Sequence, residues 1–131
     1  MSQKEIEVIL MRQLAGYLAM PIFVVDPEGT LLFYNEPAEA LLGKRFDEAG
    51  EMPVEEWSTA FTPRDEDDSP LRPEALPLVI ALREHRPAHR RLRITGLDGV
   101  ARRLEVMAFP IEGQSGRHLG AVALFWDIGQ R

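Results

Sequence analysis

Three histidines, one acidic cluster and a scatter of carboxylates and serines are the side chains of this chain that could do chemistry. His85, His89 and His118 are potential metal ligands, but their spacing forms no metal-ligand pattern. His85 falls in Arg83-Glu84-His85-Arg86-Pro87, a charged segment where a helix should end, and a histidine is favoured there by the helix dipole alone. His89 and His118 stand at strand starts beside arginines and read as solvated edge residues. Asp65-Glu66-Asp67-Asp68-Ser69 is similar to the start of a calcium loop. That pattern wants Gly at its sixth position and Glu at its twelfth, where Pro70 and Leu76 stand, so the segment reads as a solvated acidic loop. Glu105 and Asp127 lack a matched acid or base partner. Ser58, Ser69 and Ser115 sit in no nucleophile motif, and no glycine-rich loop could cradle a phosphate. The expectation is a protein that is not an enzyme.

Composition narrows the remaining classes. The chain has 131 residues, enough for one domain with its own core. It contains no cysteine, which excludes disulfides, thiolate zinc sites, cysteine nucleophiles and cysteinyl cofactor adducts, and fits a cytoplasmic protein. A net charge of −6 argues against nucleic acid as a partner, since phosphate binding rests on positive charge. No apolar run reaches the roughly 18 residues that suggest a membrane span, and Met1-Ser2-Gln3-Lys4-Glu5 lacks the basic-then-apolar order of a signal peptide. The charge is bipolar. Residues 47–68 hold nine carboxylates against Arg64, while residues 83–103 hold seven arginines against Glu84 and Asp98. This pattern would tie loop to hairpin or dock an acidic partner.

The elements that must position these groups follow from periodicity. Residues 3–19 read as an amphipathic helix, with Ile6, Leu10, Leu14 and Leu18 at intervals of four, joined by Ile9 and Tyr17. Ser2 can cap it, with Glu5 three residues on, and Pro21 stops it. Val8, Met11 and Ala15 make its stripe wider than one contact needs. Two strands, Ile22–Val25 and Thr30–Tyr34, flank the turn Asp26-Pro27-Glu28-Gly29. Asn35 can cap a helix over 36–42 that Gly43 ends. Residues 44–73 carry Pro53, Pro63, Pro70 and Pro73 and read as irregular, with short helical turns around 53–60 at most; so long a loop in a compact domain usually covers a cavity or has a function. A helix over 74–85 follows, with Pro77 in its first turn and Leu76, Val79 and Ile80 facing inward. Three long strands end the chain, 89–95, 100–111 and 117–126, the first two joined by a hairpin through Asp98-Gly99. The whole is an α+β domain with one antiparallel sheet and its helices mainly on one face.

In this order the pieces resemble a PAS domain, the small sensory fold of signalling proteins, over residues 20–128. The resemblance rests on Asp26 to Gly29, on Asn35, Ala38, Leu41 and Gly43, and on Ser69-Pro70-Leu71 leading to Leu76-Pro77-Leu78 and Ala81-Leu82. It continues through Asp98-Gly99, Glu105-Val106, Phe109-Pro110, Gly120-Ala121-Val122 and Asp127-Ile128; Gly129 departs from it, since Thr or Ser often follows the Asp-Ile pair. The resemblance implies a five-stranded antiparallel sheet of order 2-1-5-4-3, and a sensory or protein-interaction role with a signalling output partner or downstream domain. Light-sensing relatives that form a cysteinyl adduct need a Cys that is missing here. A non-covalent flavin would want Asn/Gln-rich strands, and Asn35 is the only Asn. Haem sensors of the family often use a His on the helix before the third strand, where His85 stands in its charged setting. The expectation is no cofactor.

Residues 20–131 are thus expected to form a single PAS domain, and residues 1–19 a cap and dimerisation helix on the sheet's other face. A cavity between sheet and helices is expected to hold a small apolar ligand, lined by Phe46, Trp57, Leu76, Val79, Ile80, Leu92, Ile94, Val106, Ala108, Val122 and Leu124. A homodimer interface is expected from Ile6, Ile9, Leu10, Leu14 and Tyr17 together with Met107, Phe109 and Phe125. The alternative is a ligand-free dimerisation module.

Overall fold

The computed structural model describes residues 19–129. The helix expected over 3–19, with Ile6, Ile9, Leu10, Leu14 and Tyr17, lies outside the described residues.

The strands are β1 (Ile22–Val25), β2 (Leu31–Tyr34), β3 (Ala88–Thr95), β4 (Ala101–Glu112) and β5 (His118–Asp127), and the helices are α1 (Glu36–Leu42), α2 (Phe46–Ala49), α3 (Val54–Ala60) and α4 (Pro77–Glu84). The sheet order is β2-β1-β5-β4-β3, antiparallel at every pairing, as expected. β1 is buried along its whole length, as a central strand covered on both faces must be.

Local chemistry explains the first half of the chain. Asp26 Oδ1 accepts from the backbone N–H groups of Glu28 (2.9 Å) and Thr30 (3.0 Å), which closes the β1–β2 turn. Asn35 is a buried junction. Its Oδ1 caps α1 through Ala38 N at 3.2 Å and also accepts from Ile22 N at 3.0 Å, while its Nδ2 donates to Met20 O at 2.9 Å. One side chain therefore ties the helix start to the start of β1. Glu36 and Glu39 in the first turn suit the positive end of the helix dipole. Gly43 ends α1 in the left-handed region (φ 80°). The β3–β4 turn packs so closely there that a Cβ on Gly43 would lie 2.6 Å from Asp98 N. That turn answers the helix's last carbonyls: Leu97 N donates to Leu42 O at 2.8 Å, and an Arg102 amino group to Leu41 O at 2.7 Å.

The middle of the chain is more ordered than its prolines suggest. α2 is an extra turn of helix, and the helix expected over 74–85 is split. Pro73–Ala75 is a 3-10 turn, Leu76 is extended (ψ 133°), and the α-helix starts at Pro77. The proline is the cause, because its ring disfavours helical backbone at the residue before it. α4 ends at His85 in a left-handed conformation (φ 55°).

The expected charge pairing between loop and hairpin is present. Arg64 and Arg93 exchange two backbone hydrogen bonds of 2.8 Å, so the loop lies as a strap along the free edge of β3. Asp65 pairs with Arg90 at 3.3 Å, and Glu66 with Arg103. The Arg103 hydrogen bond holds the Glu66 carboxyl below its usual range. An otherwise open sheet edge is covered.

Candidate ligand cavity

Register decides which side chains reach the space between sheet and helices. Val106 pairs with Phe125, Ala108 with Ala123, and Phe23 also with Ala123, so these share the helix-facing side. Val122 and Leu124 alternate with them and point the other way, where Val122 is buried with Ile22 and Val24, and Leu124, Phe33 and Ile111 pack against them. Two expectations are corrected here. Val122 and Leu124 are not cavity walls, and Phe125 is not on the outer face; it is buried in the main core. A strand apolar on both faces carries no alternation from which to read its sides, and an offset of one residue reverses every side chain.

A cavity of about 100 Å³ lies on the helix-facing side of the sheet. Trp57 and Ser58 of α3, Leu76 and Leu78 at α4, and Leu92, Ile94, Leu104 and Val106 of β3 and β4 border it, with Phe23, Leu42, Phe61, Pro63, Pro77, Ala123 and Phe125. Of the expected walls, Trp57, Leu76, Leu92, Ile94 and Val106 are there. Phe46, Val79, Ile80 and Ala108 are not. Phe46 packs edge-on against Phe33 and Tyr34, at centroid distances of 5.6 and 5.3 Å. Val79 and Ala108 are buried elsewhere in the core, and Ile80 is half-buried. Phe61 and Pro63 were missed because they come from the strap, whose sequence has no period to read. Phe23 was readable: it faces Tyr34 across the β1–β2 hairpin in a stacked pair 5.9 Å apart.

Hydrocarbon dominates the cavity wall, and its one indole donor is already used. Trp57 Nε1 donates to Gly29 O at 2.7 Å, and its ring meets Phe23 edge-on at 5.5 Å. Below this, the phenol of Tyr34 donates to Lys44 O at 2.7 Å. Burial first, then the negative charges of Glu39, Glu48 and Asp47, push its pKa up to about 12, so it stays neutral in all but strongly alkaline solution.

The remaining polar candidates are dispersed. His85 and His118 do meet, stacked face to face with centroids 3.6 Å apart, but both are exposed and neither borders the cavity. Glu105 is buried on the outer face between two β3 side chains. Its Oε1 accepts from Arg91 Nε at 3.2 Å, and its Oε2 lies 2.7 Å from His89 Nε2 at ion-pair distance without hydrogen-bond alignment. The β3–β4 hairpin makes Arg91 and Glu105 direct partners, so their pairing could be counted outward from Asp98-Gly99. The acidic loop folds on itself: Asp67 Oδ1 accepts from Ser69 N at 3.0 Å and from Ser69 Oγ at 2.5 Å. Among the described residues, no three His, Asp or Glu side chains form a metal-binding group. No helix among them is long and apolar enough to cross a membrane.

A family model described as the PAS fold matches residues 18–131. The chain belongs to the PAS fold family, whose domains are sensory modules of signal transduction. No curated protein matches the sequence. Among solved structures, it is similar to the PAS domain of a protein from Colwellia psychrerythraea, at 21% identity and TM-score 0.65, with 95% of this chain and 99% of that one covered. It is similar also to the PAS domain of BvgS from Bordetella pertussis, at 22% identity and TM-score 0.61, covering 95% and 88%. A third is the Rhodobacter sphaeroides LOV protein, at 16% identity and TM-score 0.70, covering 98% and 70%. At these identities the likeness is one of fold.

Proposed function

We propose that this PAS domain is a non-catalytic cytoplasmic sensory module whose signal is a small apolar ligand held between sheet and helices. The cavity carries this reading: about 100 Å³ bordered almost wholly by hydrocarbon, at the junction of strands, helices and strap. Pockets for drug-sized ligands run to roughly 300–1,000 Å³, so haem and flavin do not fit this space as it stands. Native mass spectrometry beside a denaturing run tests the proposal. The expected result is a small mass excess, lost on denaturation, from protein that shows neither a Soret band nor flavin absorbance after gel filtration. A persistent chromophore band would replace the reading with a cofactor sensor. The lack of any mass excess, with no rise in melting temperature when small apolar solutes are added, would remove the ligand.

A second reading, homodimerisation, draws on a different observation. Met107 and Phe109 are exposed on the outer sheet face, beside the half-buried Leu124 and Ile111. Exposed apolar patches mark interfaces. In this proposal residues 1–19 form the dimerisation helix, and its Ile6, Ile9, Leu10, Leu14 and Tyr17 meet that face and the partner copy. A change in the sheet would then pass to an output partner or downstream domain. Light scattering is expected to give a dimer for the intact chain at micromolar concentration and a monomer for a chain starting at Ala19. A monomeric intact protein refutes the dimer. A dimer that survives the truncation moves its interface elsewhere.

A further inference from the structure

One hydroxyl interrupts the apolar wall. Ser58 is 2% exposed, borders the cavity, and makes no side-chain hydrogen bond among the described residues. Its neighbour Thr59 does what a helical hydroxyl usually does, donating to Glu55 O one turn back at 3.0 Å. Among the described residues, the only other polar side-chain atom around the cavity, Trp57 Nε1, is committed to Gly29 O. Ser58 thus presents a donor and an acceptor to a space in which no other described side chain offers a partner for either. With no protein partner, the hydroxyl adds no intramolecular hydrogen bond to the fold, and alanine at this position would lose none.

We propose that Ser58 determines the specificity of the cavity, selecting small apolar molecules that carry a single hydrogen-bonding group, such as a hydroxyl or carbonyl on a short aliphatic or aromatic body. The inference rests on the cavity being the ligand site. Size sets the body: a dry apolar cavity of about 150 Å³ accepts benzene or xenon, and this one is about 100 Å³. The bound polar group would meet Ser58, and the hydrocarbon would meet Phe61, Leu76, Leu92 and Val106.

The test uses the intact chain, its Ser58→Ala variant and its Ser58→Cys variant, which puts a weak donor in place of the hydroxyl. Xenon, followed by its NMR signal, reports the cavity irrespective of polarity. Benzene and phenol, titrated against backbone amide resonances, report the role of the hydroxyl. Xenon is expected to bind all three proteins. Phenol is expected to bind the wild type about three- to tenfold more tightly than either variant, while benzene binds the three alike. Ser58→Ala is also expected to melt no lower than the wild type, since it breaks no hydrogen bond within the protein; a hydroxyl with a structural role would lower the melting temperature. Equal phenol affinity in the three proteins, or xenon binding with neither aromatic bound, overturns the role of Ser58 and leaves the cavity standing. Absence of xenon binding overturns the cavity and this inference together.

Discussion

Trp57→Ala is expected to cost about 3–5 kcal/mol of folding stability, the usual range for deleting a large buried aromatic. Trp57 is 6% exposed and serves three purposes at once. It buries a large ring against Phe23, anchors α3 to the β1–β2 turn through Gly29 O, and forms one wall of the cavity. Truncation removes the buried area, orphans a carbonyl, and merges the vacated volume with space that is already empty. Because little around an existing cavity can collapse to fill the gap, the cost should fall at the upper end of the range. Trp57→Phe separates the contributions. It keeps most of the hydrocarbon and loses the hydrogen bond, so its cost should be about 1–3 kcal/mol. Urea denaturation of the three proteins measures this. Benzene should restore part of the loss in Trp57→Ala, since a ligand that binds only the folded state stabilises it. A loss below about 1 kcal/mol in Trp57→Ala would mean that α3 does not wall the cavity as described.

What could be read in the sequence was what local chemistry decides. Asp26, Asn35 and Gly43 each act through backbone groups within a few residues, so the first turn and the ends of α1 were legible. The β3–β4 hairpin was legible because Leu92, Ile94, Leu104 and Val106 alternate with polar neighbours. β5 was not, because Leu119 to Phe125 is apolar or glycine throughout, and nothing within it says which side chains face the helices. Only pairing answers that, and pairing is a property of β1, β4 and β5 together. The cavity was half legible for the same reason. Walls on alternating strands and on α4 could be counted; those on β5 and the strap could not. Ser58 was visible as a serine and was set aside for lack of a nucleophile motif. Its interest lies in the absence of a partner, which only three-dimensional placement reveals. The charge bipolarity was legible as a pattern, and the fold turns it into the contact that lays the strap on β3.

The same dependence on pairing makes Gly120 the least replaceable residue on β5. It stands at the end of the ladder between β1 and β5, the two central strands, where the next residue, Ala121, is the partner of Val25. The β4–β5 register shifts just beyond its partner Ile111, and Gly120 takes a φ of +132°, a conformation that L side chains rarely adopt. A Cβ built there would lie 2.0 Å from Val25 O and 3.0 Å from Val25 C. Both are backbone atoms of a fully buried strand, so no rotamer change relieves the clash; β1 itself must move. Moving β1 breaks its ladder with β5 and also displaces Phe23 from the cavity wall. Gly120→Ala is therefore expected to lose more than about 4 kcal/mol, the exceptional end of single-residue effects, and to be recovered mainly as insoluble or uncooperatively unfolding protein. Gly116→Ala is the control. Gly116 also has positive φ, at +71°, but a Cβ there would meet nothing within 4 Å. It should incur only the backbone strain of about 1–2 kcal/mol and keep a cooperative transition. Circular dichroism and denaturation midpoints of the two variants, made side by side, decide the matter. If Gly120→Ala unfolds at the same midpoint as Gly116→Ala, the close approach of β1 and β5 is wrong, and the assignment of cavity walls that depends on their register falls with it.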